Sequence, residues 1–177
     1  MRALPLTLVA CIVPILAAVD AVAQGESCRN FSWSIGRSID LFDEPLPTVE
    51  SGQALPKEGA FAVTLKPVAD VLYLTPPERG SDGGLGGVVT IESLPAGRYQ
   101  IALSDDGWVD AIQENHRLPE LASSRTRECP GVLHSIEVEV QSQPLTLQIG
   151  GAHAPRLNIA LVRVGAVGGR GCELDFS

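Results

Sequence analysis

Apolar side chains fall on every second residue through one short segment after another. Ile136, Val138 and Val140 alternate with Glu137, Glu139 and Gln141; Leu145, Leu147 and Ile149 repeat the pattern, as do Leu157, Ile159 and Leu161. Earlier in the chain Phe61, Val63 and Leu65, and then Tyr99, Ile101 and Leu103, alternate in the same way. A period of two places these groups on one face of a β-strand, whereas a helix needs a period near 3.6. Proline and glycine clusters separate the segments, and no amphipathic helix of useful length is readable between them. The spacing predicts an all-β fold: an antiparallel two-sheet β-sandwich, jelly-roll or immunoglobulin-like, of about eight or nine strands. In such a sandwich each sheet keeps one wet face.

Within that pattern, Leu94–Gln113 reads as two strands joined by a tight Asp106-Gly107 turn, with Trp108 opening the return strand. Phe31, Trp33 and Ile35 predict a first strand with a kink at Gly36. Asp70–Thr75 and Val88–Leu94 predict two more, the former stopped by Pro76-Pro77. Glu78–Gly87 is charged and glycine-rich but lacks the Gly-Lys-Ser/Thr ending of a phosphate cradle, so it reads as a flexible loop. Glu114–Gly131 is the longest irregular stretch, with room for one helical turn around Glu120–Ser123.

The first residues carry a processing signal. Arg2 supplies a positive start, Leu4 to Val19 is apolar and uncharged, and Ala21-Val22-Ala23 fits a small-x-small cleavage pattern. The domain assignment is a signal peptide over 1–23, a β-sandwich over 24–164 and a Gly-rich tail over 165–177. The expected location is the periplasm or the exterior. Gly25-Glu26-Ser27 before Cys28 does not match a lipidation signal, and no second hydrophobic span follows. A net charge of -8 gives no electrostatic case for nucleic acid or an anionic membrane surface. Cys11 leaves with the signal, and Cys28, Cys129 and Cys172 remain, enough for one bridge and one thiol. All three pairings are open, with Cys28–Cys129 the favoured one because Cys172 sits in the Gly-rich tail.

Candidate chemistry is sparse. A metal centre needs converging ligands, and His116, His134 and His153 show no paired spacing; His116, His134 and Glu114 are the candidates a fold could gather. Asp105, Asp106, Asp110 and Glu114 offer carboxylates, although Asp-Gly turn geometry accounts for the first two without chemistry. Trp108 beside Asp105, Asp106 and Asp110, with His116 further on, is a candidate sugar or cation site, since an aromatic ring flanked by carboxylates can take either. Tyr99 reads as core. No nucleophile elbow or catalytic triad spacing is present.

The runs PAGRYQIALSDDGWVD at Pro95–Asp110, ECPGVLHSIEVEV at Glu128–Val140 and LTLQIGGAHAPRLNIALV at Leu145–Val162, with PPER at Pro76–Arg79 and GGVVTI at Gly86–Ile91, carry a resemblance. The chain resembles a group of small exported proteobacterial proteins without an assigned activity. The resemblance implies a fold and a compartment, because its motifs are turns and strands. Some members of that group carry the label homogentisate 1,2-dioxygenase, which implies a non-haem iron held by two histidines and a carboxylate.

The function expected is a non-catalytic binding or accessory module of the cell envelope, without a cofactor, whose partner is a carbohydrate or an envelope protein. The alternatives are a metal-dependent oxygenase or hydrolase using His116, His134 and Glu114, and a structural subunit of an envelope assembly.

Overall fold

The computed structural model describes residues 27–55, 57–79 and 83–166. The signal segment, Cys172 and the tail beyond 166 lie outside the described residues, as do 80–82 of the Gly-rich loop.

Among the described residues, twelve strands form two mixed six-stranded sheets. In one sheet the order is β1 (Thr48–Glu50), β3 (Gly59–Thr64), β12 (Arg156–Gly165), β6 (Gly97–Leu103), β10 (His134–Val140), β9 (Ala122–Arg125). In the other it is β2 (Ala54–Leu55), β5 (Leu85–Ile91), β11 (Leu145–Ala152), β7 (Trp108–Gln113), β8 (His116–Arg117), with β4 (Lys66–Pro67) also on β5. The sheets are not purely antiparallel, because β1 runs parallel to β3 and β2 parallel to β5. The strand count exceeds the predicted one because five of the twelve are edge pieces of two to four residues, too short to show alternation.

The alternating apolar residues meet between the sheets. Tyr99, Ile101, Leu103, Ile136, Val138, Leu157, Ile159 and Leu161 face Val89, Ile91, Leu145, Leu147 and Ile149 in one buried core. At about 25 cal/mol per Å² of apolar surface removed from water, this layer is the dominant stabilising term. Tyr99 sits in it fully buried, and its hydroxyl donates to the Pro95 carbonyl at 2.9 Å. That bond closes a tyrosine corner at the entry to β6, which satisfies the one polar atom the ring brings inside.

The sheets' outer faces are covered, contrary to the expectation of one wet face each. The segment predicted as a first strand over Phe31–Ile35 is instead a 3-10 turn at Cys28–Asn30 followed by helix α1 (Gly36–Phe42). It lies across the first sheet, burying Phe31 and Ile35 against Ala102, Ala160 and Val162. Ala60, Ala160 and Ala102 are register partners on three adjacent strands. Their short side chains let the covering segment approach the sheet closely. A disulfide joins Cys28 to Cys129 in the β9–β10 loop and ties this cover to the sandwich.

Residues 68–79 cover the second sheet. Here the predicted Asp70–Thr75 strand is absent; a 3-10 turn at Val68–Asp70 leads into irregular chain without ladder pairing. The outward polar residues of the alternation bond these covers rather than water. Gln100 accepts from the Ser38 hydroxyl and donates to the Ser34 carbonyl, each at 3.1 Å. Gln148 accepts the Leu74 and Thr75 amides and donates to the Thr75 carbonyl. A buried amide side chain is costly without partners, and each of these is satisfied.

The β6–β7 connection also differs from the predicted hairpin. These strands lie in different sheets, so Asp106-Gly107 is a crossing between layers and not a hairpin turn. The tight hairpin is β7–β8, where Gln113 pairs with His116 and both Glu114 and Asn115 have positive φ, at 49° and 61°. Two positive φ values in a two-residue loop match the twist of the flanking strands. The helical turn expected at Glu120–Ser123 is replaced by β9, paired to β10 from Ala122 to Arg125.

Candidate functional site

The β3–β4 link crosses between the sheets on one side of the sandwich, with Leu65 buried in the crossing. On the other side β8 and β9 cover only part of their neighbours, and a cleft of about 570 Å³ opens there. Its apolar floor comes from both sheets: Val109 and Ala111 of β7, Ile136 and Val138 of β10. Leu118 and Pro119 close one wall, and Glu78, Arg79, Asp110, Arg117 and Glu120 supply the polar groups. This volume is in the range of about 300–1,000 Å³ usual for small-ligand sites.

Asp110 points away from Val109, as alternation requires, and its side chain is only 4% exposed. Its Oδ2 accepts the Glu78 amide at a long 3.4 Å and lies 3.2 Å from Arg117 Nε. The guanidinium is turned so that this buried N–H makes no hydrogen bond. Arg117 instead donates through Nη2 to the Pro76 carbonyl at 2.6 Å, with Nη1 3.8 Å from Glu78. Across the cleft Arg79 pairs with Glu120 at 3.2 Å. Among the described residues the Oδ1 atom of Asp110 has no hydrogen-bond partner.

The other carboxylates go elsewhere. Asp105 accepts the backbone amides of His153 and Ala154 and lies 3.3 Å from the His153 ring. Burial pushes its carboxyl up, but the Ala154 amide, the His153 ring and amide, and the Asp106 amide outweigh this and hold it below the usual carboxylate value. Asp106 binds the exposed guanidiniums of Arg125 and Arg127 at 3.3 and 3.1 Å. Both aspartates tie loops together.

Trp108 is not a free platform flanked by acids. Its indole lies over Gly150 and Gly151, and Tyr73 sits against it with ring centroids 5.8 Å apart at 40°. Tyr73 donates to the Ile149 carbonyl at 2.8 Å; burial and then the charge of Asp110 push its hydroxyl pKa up to about 12. A Cβ added at Gly150 would fall 2.3 Å from Trp108 Cζ2. Gly150→Ala is therefore expected to displace the indole and cost about 1–3 kcal/mol, the usual penalty of overpacking. A lowered urea midpoint with a shift in tryptophan emission would show it; unchanged values of both would refute the seat.

The histidines are placed apart. His116 is exposed, its Nδ1 2.8 Å from the Glu114 carbonyl oxygen on the β7–β8 turn. His134 is fully buried in the first sheet, with Nδ1 3.1 Å from the Gly107 carbonyl oxygen and Nε2 3.2 Å from the Ser123 hydroxyl. His153 stands on Asp105. Among the described residues no three His, Cys, Asp or Glu side chains are grouped to hold a metal ion.

Of the candidate site residues named from the sequence, then, only Asp110 lines the cleft. Arg117, Glu78, Arg79 and Glu120 escape sequence reading because the 68–79 cover and the β8–β9 link bring them to Asp110 from distant positions. The PPER run held two of them, without a signal of what it would face. No known protein family, curated protein or solved structure matches the chain.

Proposed function

We propose that this chain is an exported, non-catalytic β-sandwich module that binds a small polar ligand in the cleft between β7 and β10. The observation that carries the reading is Asp110, a buried carboxylate lining a cleft that joins apolar floor to paired charges, with one oxygen that has no hydrogen-bond partner among the described residues. Binding sites combine these two ingredients, an apolar lining and a few placed polar groups. The Cys28–Cys129 bridge is compatible with an oxidising compartment. Among the described residues no helix is long and apolar enough to cross a membrane. The tyrosine corner favours the immunoglobulin-like of the two sandwich types. A carbohydrate of the envelope fits a site rich in both donors and acceptors.

Expressed with its own leader in a Gram-negative host, the protein is expected in the periplasmic fraction with Gln24 as its first residue. A screen of that material against glycans and small polar ligands should give a ligand whose binding Asp110→Ala weakens. Cytoplasmic retention would remove export; turnover of a ligand at the cleft would remove the non-catalytic reading.

A further inference from the structure

We infer that the cleft is selective for ligands bearing a primary ammonium group, with Asp110 as the selecting residue. The inference rests on the reading of the cleft as a binding site and adds the charge of what it takes. Three carboxylates, Glu78, Asp110 and Glu120, face two guanidiniums. Arg79 is taken by Glu120, and Arg117 is shared between Asp110 and Glu78. The surplus negative charge falls on the least exposed member, since the Asp110 side chain is 4% exposed while that of Glu78 is 66% exposed.

A largely buried carboxylate gains most from a charged donor. Oδ2 has one long amide bond and a misaligned guanidinium; Oδ1, which has no protein donor, is left for the ligand. Arg117 cannot turn to it freely while Nη2 is held by the Pro76 carbonyl. An ammonium group supplies both what the oxygen lacks and the missing charge; a neutral hydroxyl supplies only the first. An anion would meet the surplus charge and be repelled. The apolar floor of Val109, Ala111 and Ile136 suits the carbon skeleton that carries the amine.

Two sources share this chemistry, a free aliphatic amine and an amino sugar, and the test separates them. The folded, oxidised full chain is titrated at low salt with putrescine and glucosamine. Their neutral counterparts 1,4-butanediol and glucose, and the anion succinate, are run alongside. The amide resonances of Val109, Asp110 and Ala111 are followed.

At least one amine should move these resonances and bind about ten-fold or more tighter than its neutral counterpart, the discrimination of one charged hydrogen bond. Putrescine alone would assign a free amine, and glucosamine alone an amino sugar. Asp110→Asn should abolish the preference, and Glu78→Gln, at a more exposed site, should reduce it by a smaller factor while the chain remains folded. Equal binding of the neutral counterparts would overturn the ammonium assignment and leave the binding module standing. Succinate binding would overturn it too, as would resonances unmoved by both amines; the broader ligand screen decides the module separately.

Discussion

Replacing Cys28 and Cys129 by serine is expected to lower the stability of the oxidised chain by about 4 kcal/mol. The bridge closes a loop of 101 residues, and the chain-entropy cost released on opening a loop of that order is about 4–5 kcal/mol. Cys129 and Cys28 are also buried, at 1% and 9% exposure, so serine hydroxyls would have to be accommodated in an apolar cluster. The loss should be uneven. The N-terminal cover holds the first sheet through Phe31, Ile35 and a Trp33 Nε1 bond to the Ser135 hydroxyl, and the bridge anchors its start. Hydrogen exchange should accelerate first at residues 28–42, with a red shift of Trp33 emission, before the core strands β6, β10 and β12 respond. A double variant with the urea midpoint and exchange pattern of the parent would refute this account. Cys172→Ser in both backgrounds keeps that thiol from linking two copies of the chain.

Acid is expected to weaken the fold through His134. Burial pushes its pKa down, the charges of Arg125 and Arg79 push it further, and the Gly107 carbonyl opposes them, leaving about 4 against an ordinary 6.5. In the native state the ring is neutral, with one nitrogen toward the Gly107 carbonyl and the other toward the Ser123 hydroxyl. The unfolded chain therefore takes up a proton at higher pH than the folded one does. Stability is flat above about pH 6.5, falls as the pH drops toward 4, and the loss levels off below, at about 3 kcal/mol in total. Asp105, whose carboxyl is held down, adds its own loss only at more acid pH, below the ordinary carboxylate value. His134→Gln keeps a donor and an acceptor at the site but has no proton to gain. Urea midpoints measured from pH 7 to pH 4 should converge for parent and variant at the acid end. Parallel profiles would mean that the ring is protonated in the folded state as easily as in the unfolded one.

Much of the layer between the sheets was legible from periodicity alone. Phe61, Val63, Tyr99, Ile101, Leu103, Ile136, Val138, Leu145, Leu147, Leu157 and Ile159 are all in the core that alternation assigns them to. What alternation does not carry is the destination of a strand. Asp106-Gly107 has hairpin composition, yet the chain uses it to pass from one sheet to the other. The real tight turn at Glu114-Asn115 has no glycine to mark it. The N-terminal segment misled for a related reason. Phe31, Trp33 and Ile35 have a strand's spacing, but what they bury is one side of an irregular cover. Ser38 and Gln100, which join helix to sheet, look like surface residues until their mutual bond is seen. The cleft was the least legible part, since its charged residues lie far apart in the chain and only Asp110 stands out by position.

Strand length is distributed across the two sheets in a way that bears on self-association. The long strands, β3, β5, β6, β7, β10, β11 and β12, are flanked by strands of two to four residues at the margins. Exposed strand margins are where proteins recruit further copies of themselves into fibrils, and brevity is one of the ways natural sheets blunt that hazard. The most aggregation-prone segments, such as Ile136–Val140, accordingly sit inside the lattice of pairings rather than at its border.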